Sequence, residues 1–144
     1  MRVGLVGCVK RKLEAPAPAA DLYISPLFKG RRCFVEQSCD RWFVLSALHG
    51  LVTPEETIAP YDQTLKDASR AERADWSRRV LAQLEAELGS FSGHVFEVHA
   101  GSAYIDHGLA EGIEQRGGIL ALPVLGLRFG EQLAFYKKRC PYAY

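Results

Sequence analysis

The sequence lacks the features that announce the simplest function classes. No stretch of about eighteen consecutive apolar residues occurs, so no membrane-spanning helix and no membrane partner are expected. The apolar segment after Met1-Arg2 runs for only about five residues, too few for the core of a secretory signal, and the expected location is cytoplasmic. The four cysteines, Cys8, Cys33, Cys39 and Cys140, show neither CxxC spacing nor a paired histidine spacing. Neither a zinc site nor a redox motif is written, no metal or other cofactor is expected, and the thiols are expected to be reduced. Charge is almost balanced, with 18 Lys and Arg against 17 Asp and Glu and a formal net charge of +1. That excludes a strongly basic nucleic-acid binder but permits a local basic patch, which Lys10, Arg11, Lys12, Lys29, Arg31 and Arg32 supply. There is no linker, low-complexity tract or internal repeat.

What is present suffices for one core. The chain has 144 residues, 48% of them apolar, with seven Phe and two Trp, and residues 1–144 are expected to form a single domain. Val3 to Val6, closed by Gly7, reads as a short buried strand. Glu14 to Ala20, rich in Ala and Pro, reads as loop. Ser25-Pro26 is a helix start, and Leu27, Phe34 and Val35 give residues 26–39 one apolar face. Trp42 to Leu45 is a second strand. Trp76, Val80, Leu84 and Leu88 recur every four residues up to Gly89, the mark of a helix. His94 to Val98 is a third strand, closed by His99-Ala100-Gly101. Residues 103–116 read as helix, Gly117-Gly118 as a break, Ile119 to Val124 as a fourth strand, and Glu131 to Arg139 as a last helix. Such alternation predicts a three-layer α/β domain, its mostly parallel sheet of about four strands flanked by helices.

In an open parallel sheet ligands bind beyond the carboxyl ends of the strands. That rule selects Gly7, Cys8, Lys10 and Lys12 after the first strand, Ser46 and His49 after the second, His99, Gly101, Ser102 and Tyr104 after the third, and residues 125–130 after the fourth. The stretch LSALHGLVTPEETIAPYDQTL, residues 45–65, lies on the same edge. Its length makes sense as a binding loop folded over the sheet and carrying Tyr61 and Asp62. Structural readings stand beside each functional one. Gly7-Cys8-Val9-Lys10 lacks the GxxxxGK[ST] pattern and fits a plain strand-to-helix turn. His49 fits a turn, His99 a hydrogen-bonded core histidine, and Asp62 an Asx-turn. The Arg70 to Arg79 charges fit a solvated helix face, and Tyr142 and Tyr144 either stack on a base or fray.

These segments carry a resemblance. Residues 45–65 resemble the corresponding segment of the YaaA peroxide-stress family and of archaeosine synthase's core domain, as do LVGCVKRK (5–12), DLYISPLF (21–28), VHAGSAY (98–104) and GLRFGEQLAFY (126–136). Together they cover most of the chain and imply an association with nucleic acid. The architecture is also similar to the uracil-DNA glycosylase superfamily. Here Pro60-Tyr61-Asp62 stands where that superfamily has Asp-Pro-Tyr, and His99-Ala100-Gly101 where it has His-Pro-Ser.

The chemistry that uses these groups is cleavage of an N-glycosidic bond. Departure of a base leaves an oxocarbenium-like sugar; Asp62 would stabilise that cation and orient water, while His49 or His99 stabilises the leaving base. Tyr23, Phe28, Tyr61 or Tyr104 would stack on an extruded base, and Lys10, Lys12 and Arg128 would meet phosphates. Cys8, Ser46, Gly101, Ser102 and Gln132 complete the expected substrate-binding set. The expectation is a DNA glycosylase that excises a modified base, in repair or in defence against foreign (phage) DNA. Two alternatives stand: a non-catalytic DNA- or RNA-binding module of the YaaA type, and a hydrolase or transferase of free nucleosides or nucleotides. The sequence names neither the base nor the oligomeric state.

Overall fold

A computed structural model describes residues 1–143; Tyr144 lies outside the described residues. The chain opens with strand β1 (Arg2–Gly7), continues through a two-residue strand β2 (Ala17–Pro18) and a single helical turn α1 (Ala19–Leu22), and enters helix α2 (Pro26–Ser38). Strands β3 (Arg41–Ser46), β4 (Gly50–Val52) and β5 (Thr57–Ile58), then a 3-10 turn at Leu65–Asp67, precede the long helix α3 (Arg70–Leu88). Strand β6 (Val95–His99), helices α4 (Ser102–Ile105) and α5 (Leu109–Gln115), strand β7 (Ile119–Ala121) and helix α6 (Phe129–Arg139) complete the order.

Five strands form one sheet in the order β4-β3-β1-β6-β7, parallel except for the β3–β4 pair. Both faces of the central strands are covered, which is why β1, β3 and β6 read as apolar runs rather than alternating ones. Leu5, Leu45, Phe96 and Val98 face Trp76, Val80 and Leu84 of α3 and Leu109 and Ile113 of α5. Val6 and Val44 face Phe28 and Val35 of α2. Local signals fix the helices. Ser25 Oγ accepts from the Phe28 N–H beside Pro26, and Ser69 with Glu72 forms a reciprocal capping box at α3. Gly89, at φ 71°, ends α3 in a conformation that favours glycine. No described helix is long and apolar enough to cross a membrane.

The architecture is the expected one, with local corrections. The sheet has five strands because the segment after Ser46 turns back as β4, an antiparallel edge. The expected helix over 103–116 is two, interrupted at residues 106–108, where Gly108 takes φ 124°. β7 stops at Ala121, just before Pro123, which has no N–H to give a ladder. Part of the Ala/Pro-rich loop pairs instead, Ala17 with Ile58 and Pro18 with Thr57. The thiols are not all reduced: Cys33 on α2 is disulfide-bonded to Cys140 just beyond α6, while Cys8 and Cys39 are free. With Cys33 and Cys140 separated by 107 positions, sequence spacing gave no sign of the pairing.

Candidate active site

The chain leaves β1 towards α2 on one face of the sheet and leaves β6 towards α4 on the other. Because β1 and β6 are neighbours, their carboxyl ends open a crevice where loops diverge. Cys8 and Tyr104 meet in it, Sγ to Oη, at 3.3 Å. The Cys8 N–H donates to Leu45 O at 3.0 Å, which ties the turn to β3.

Beside this pair the proline-rich segment is fastened down. Its backbone is held by the Ala19 N–H on Glu56 O and the Ala20 N–H on Pro54 O. Its Tyr61 hydroxyl sits 2.6 Å from that of Tyr23 and accepts from Ser46 Oγ at 2.8 Å. Ser46 Oγ in turn accepts the His49 N–H at 3.0 Å, and the His49 ring lies edge-on to Tyr61 with centroids 5.7 Å apart. Lys12 Nζ lies 4.5 Å from the Tyr61 ring centroid and 5.6 Å from that of Tyr23, within cation–π range. Cys8, Lys12, Tyr23, Ser46, His49, Tyr61 and Tyr104 are thus one cluster, built from three strand ends and the folded-over segment.

Burial sets the protonation of this cluster. It pushes the Tyr23 phenol up to about 12 and raises Tyr61 and Tyr104 as well, with the charge of Cys8 acting in the same direction. All three are therefore neutral hydroxyls at neutral pH. Burial also lowers the Lys12 ammonium, against the opposing pull of Cys8 and Asp62. Asp62 follows Tyr61 directly and is exposed, so a carboxylate stands at the solvent rim within electrostatic reach of Lys12.

A second group lies on the other side of α4. A cavity of about 290 Å³ opens between α4 and the loop from β7 to α6, lined among others by Gly101, Ser102, Asp106 and Gln132. Gln132 donates from Nε2 to Leu127 O at 3.0 Å. Lys10 is exposed, as is Arg128, whose N–H donates to Glu131 at the start of α6.

Two expected residues stand apart. His99 is 0% exposed and projects to the α2 side, in register with Val6 and packed at a tilt against Phe34. Its Nε2 meets Glu97 at 2.7 Å and its Nδ1 meets the Tyr136 hydroxyl at 2.6 Å. Glu97 can only accept, so Nε2 carries the proton and Nδ1 accepts from Tyr136. Burial lowers the His99 pKa despite Glu97, and the neutral ring is a core hydrogen-bonding group that does not reach the cluster. Phe28 is also 0% exposed; with centroids 4.9 Å apart it supports the Tyr23 ring and offers no face to a base. Tyr23 and Tyr104 are themselves buried, which leaves Tyr61 as the half-exposed ring.

Several supporting residues carried weaker signals. Arg31, 5% exposed, donates from Nη1 to Gly7 O at 3.2 Å under the first turn. Its place on the apolar face of α2, four residues after Leu27, was the available hint. Glu97 interrupts an apolar strand for the same kind of reason. Arg73 and Arg79 belong only partly to a solvated face: Arg73 donates to Leu65 O and Lys66 O, and Arg79 to Leu48 O. Trp76 donates from its indole to Ser46 O at 2.8 Å, and Gln83 bridges Leu51 N–H and His49 O. Helix α3 therefore braces the loops that form the cluster.

A model of a family of unknown function, DUF6884, matches residues 3–138. The chain belongs to this family. It is also similar to the uncharacterized protein YfjM of Bacillus subtilis (strain 168), 30% identical over 70 residues in a match that covers 44% of this chain and 47% of that one. The match spans about half the length of that relative. No solved structure matches the chain.

Proposed function

We propose that this member of DUF6884 is an N-glycosyl hydrolase that releases a modified nucleobase from DNA. The observation that carries the reading is the seating of Pro60-Tyr61-Asp62. The Tyr61 hydroxyl is held by Tyr23 and Ser46, and the next residue carries its carboxylate to the solvent rim within electrostatic reach of Lys12, beside the ring that His49 meets edge-on. As the bond between C1′ and the base nitrogen breaks, Asp62 stabilises the sugar cation and orients the water that adds to C1′. His49 hydrogen-bonds the departing base, and the half-exposed ring of Tyr61 stacks on it. Exposed Lys10 and Arg128 meet phosphates, and the cavity beside Gly101, Ser102 and Gln132, across α4 from the cluster, takes a neighbouring part of the DNA strand. The resemblance of residues 5–12, 45–65 and 98–104 to the YaaA family and to archaeosine synthase's core supports a nucleic-acid substrate, and a modified base suits a role in repair or against foreign DNA.

The test is incubation with oligonucleotides carrying modified bases, scoring free base by mass and abasic sites by alkaline cleavage. Base release is expected, and Asp62→Asn is expected to bind DNA normally while losing about a hundredfold or more in rate. No release from any substrate, or an Asp62→Asn variant as fast as the parent, would overturn the proposal; an inert protein that still binds DNA is the binding module instead.

One observation favours a second reading. The net charge of +1 suits a free nucleoside or nucleotide better than a duplex. Binding that weakens steeply with salt indicates contact with several phosphates, and a shallow salt dependence indicates the mononucleotide.

A further inference from the structure

Lys12 differs from the other lysines. Lys10, Lys29, Lys66, Lys137 and Lys138 are exposed, whereas Lys12 is half-buried. Its backbone is fixed by an antiparallel bridge to Tyr23, flanked by the Leu13 N–H on Leu22 O and the Ile24 N–H on Arg11 O. The amine is bent back so that Nζ donates to Lys10 O at 3.1 Å, above the rings of Tyr61 and Tyr23. Among the described residues no carboxylate lies within ion-pair distance of it. A lysine placed on an anchored backbone in a partly dehydrated aromatic setting, without a salt-bridge partner, suits nucleophilic attack on a carbonyl better than phosphate binding.

We propose that Lys12 gives the protein a lyase activity on abasic sugar, with its Nζ as the nucleophile that attacks the C1′ aldehyde of ring-opened deoxyribose. The amine adds to the aldehyde carbon, and the carbinolamine loses water to give an imine. Loss of a proton from C2′ then forms the C2′–C3′ double bond as the bond from C3′ to its phosphate oxygen breaks, and the phosphate monoester leaves. Water hydrolyses the imine and frees the amine, so no other reactant is consumed. The groups facing Lys12 are Cys8, Tyr23, Tyr61 and Asp62; burial favours the neutral amine, while Cys8, Asp62 and the rings favour the ammonium. Asp62 is the nearby group able to accept the C2′ proton. The inference rests on the reading that the substrate is a nucleobase-bearing sugar, but its test supplies the abasic site ready-made.

An oligonucleotide with a preformed abasic site is mixed with the protein and sodium borohydride, which reduces an imine to a stable amine. The expected result is a covalent protein–DNA adduct whose modified peptide contains Lys12. Lys12→Arg keeps the positive charge over Tyr61 but forms no imine; it should melt like the parent and leave the adduct at background. Lys12→Ala, with melting checked in parallel, should do the same. Absence of an adduct in the parent overturns the proposal, as does an adduct mapped to Met1 or to an exposed lysine, or one that persists in Lys12→Arg. Base release without trapping keeps the hydrolase and removes the lyase, whereas trapping without base release keeps the lyase and removes the hydrolase.

Discussion

The hydroxyl oxygens of Tyr23 and Tyr61 lie 2.6 Å apart and join residues that 38 positions of chain separate. This contact, completed by Ser46, fastens the proline-rich segment over the strand ends. Tyr61→Phe deletes the shared hydroxyl and takes one hydrogen-bond partner each from Tyr23 and Ser46, which still keeps the His49 N–H, at a cost of about 1 kcal/mol. Urea unfolding should show that loss. Under the proposed function base release should fall further than the stability loss explains, because the residue next to Asp62 loses its anchor, while the ring beneath Lys12 remains and the proposed borohydride trapping should persist.

Glu97 joins Arg2, His99 and Ser38, with its carboxylate 2.7 Å from Arg2 Nε and from His99 Nε2 and 3.0 Å from Ser38 Oγ. Burial alone would raise its pKa, but the hydrogen bonds from His99, Arg2 and Ser38 outweigh it and bring the group down to about 2. The unfolded chain therefore binds a proton that the folded one refuses, so the contribution is complete above the ordinary carboxylate range and is lost as pH falls towards 2. His99, also lowered, adds a loss that begins at the ordinary histidine value. Urea midpoints should fall steadily on acidification below about pH 6.5. Glu97→Gln should flatten the lower part of that curve and cost about 2 kcal/mol at neutral pH.

Gly7 admits no side chain. A Cβ there would stand 2.8 Å from Ala100 Cβ and 3.1 Å from Ala100 Cα, and neither atom can rotate away. Gly7→Ala should force β1 and β6 apart at their carboxyl ends, cost about 1–3 kcal/mol and separate Cys8 from Tyr104. Peptide mapping after brief alkylation should find Cys8 labelled faster than in the parent.

The Cys33–Cys140 disulfide pins the end of α6 to α2 across 107 residues of sequence. Thiol titration of the unreduced, unfolded protein should find two groups, those of Cys8 and Cys39. Reduction, or Cys33→Ser with Cys140→Ser, should lower stability by about 2–4 kcal/mol in chemical unfolding. Equal stability with and without reductant would show that the bond constrains little.

Much of the fold is legible without coordinates where the signal is local. Ser25-Pro26 and Ser69 with Glu72 mark helix starts, Gly89 a helix end, and unbroken apolar runs mark β1, β3 and β6. Where a distant partner decides, the signal is absent. Residues 50–52 carry no pattern that separates an edge strand from loop, and Ala17-Pro18 pairs only because Thr57-Ile58 arrives beside it. Strand-end logic brought Cys8, Lys12, Ser46, His49 and Tyr104 to one edge. It also chose His99, because a chain position near the end of a strand does not say which face the side chain takes; register with Val6 does.

By itself the sequence determined the alternation of strands and helices, the covered sheet and the edge on which polar groups gather, since each follows from periodicity, capping and the handed crossover of parallel strands. Only the tertiary structure decided that Tyr61 meets Tyr23 and Ser46, that Arg31 lies under Gly7, that His99 belongs to the core and that Cys33 finds Cys140. The physical reason is that these are contacts between residues far apart in the chain, fixed by packing complementarity rather than by local conformational preference.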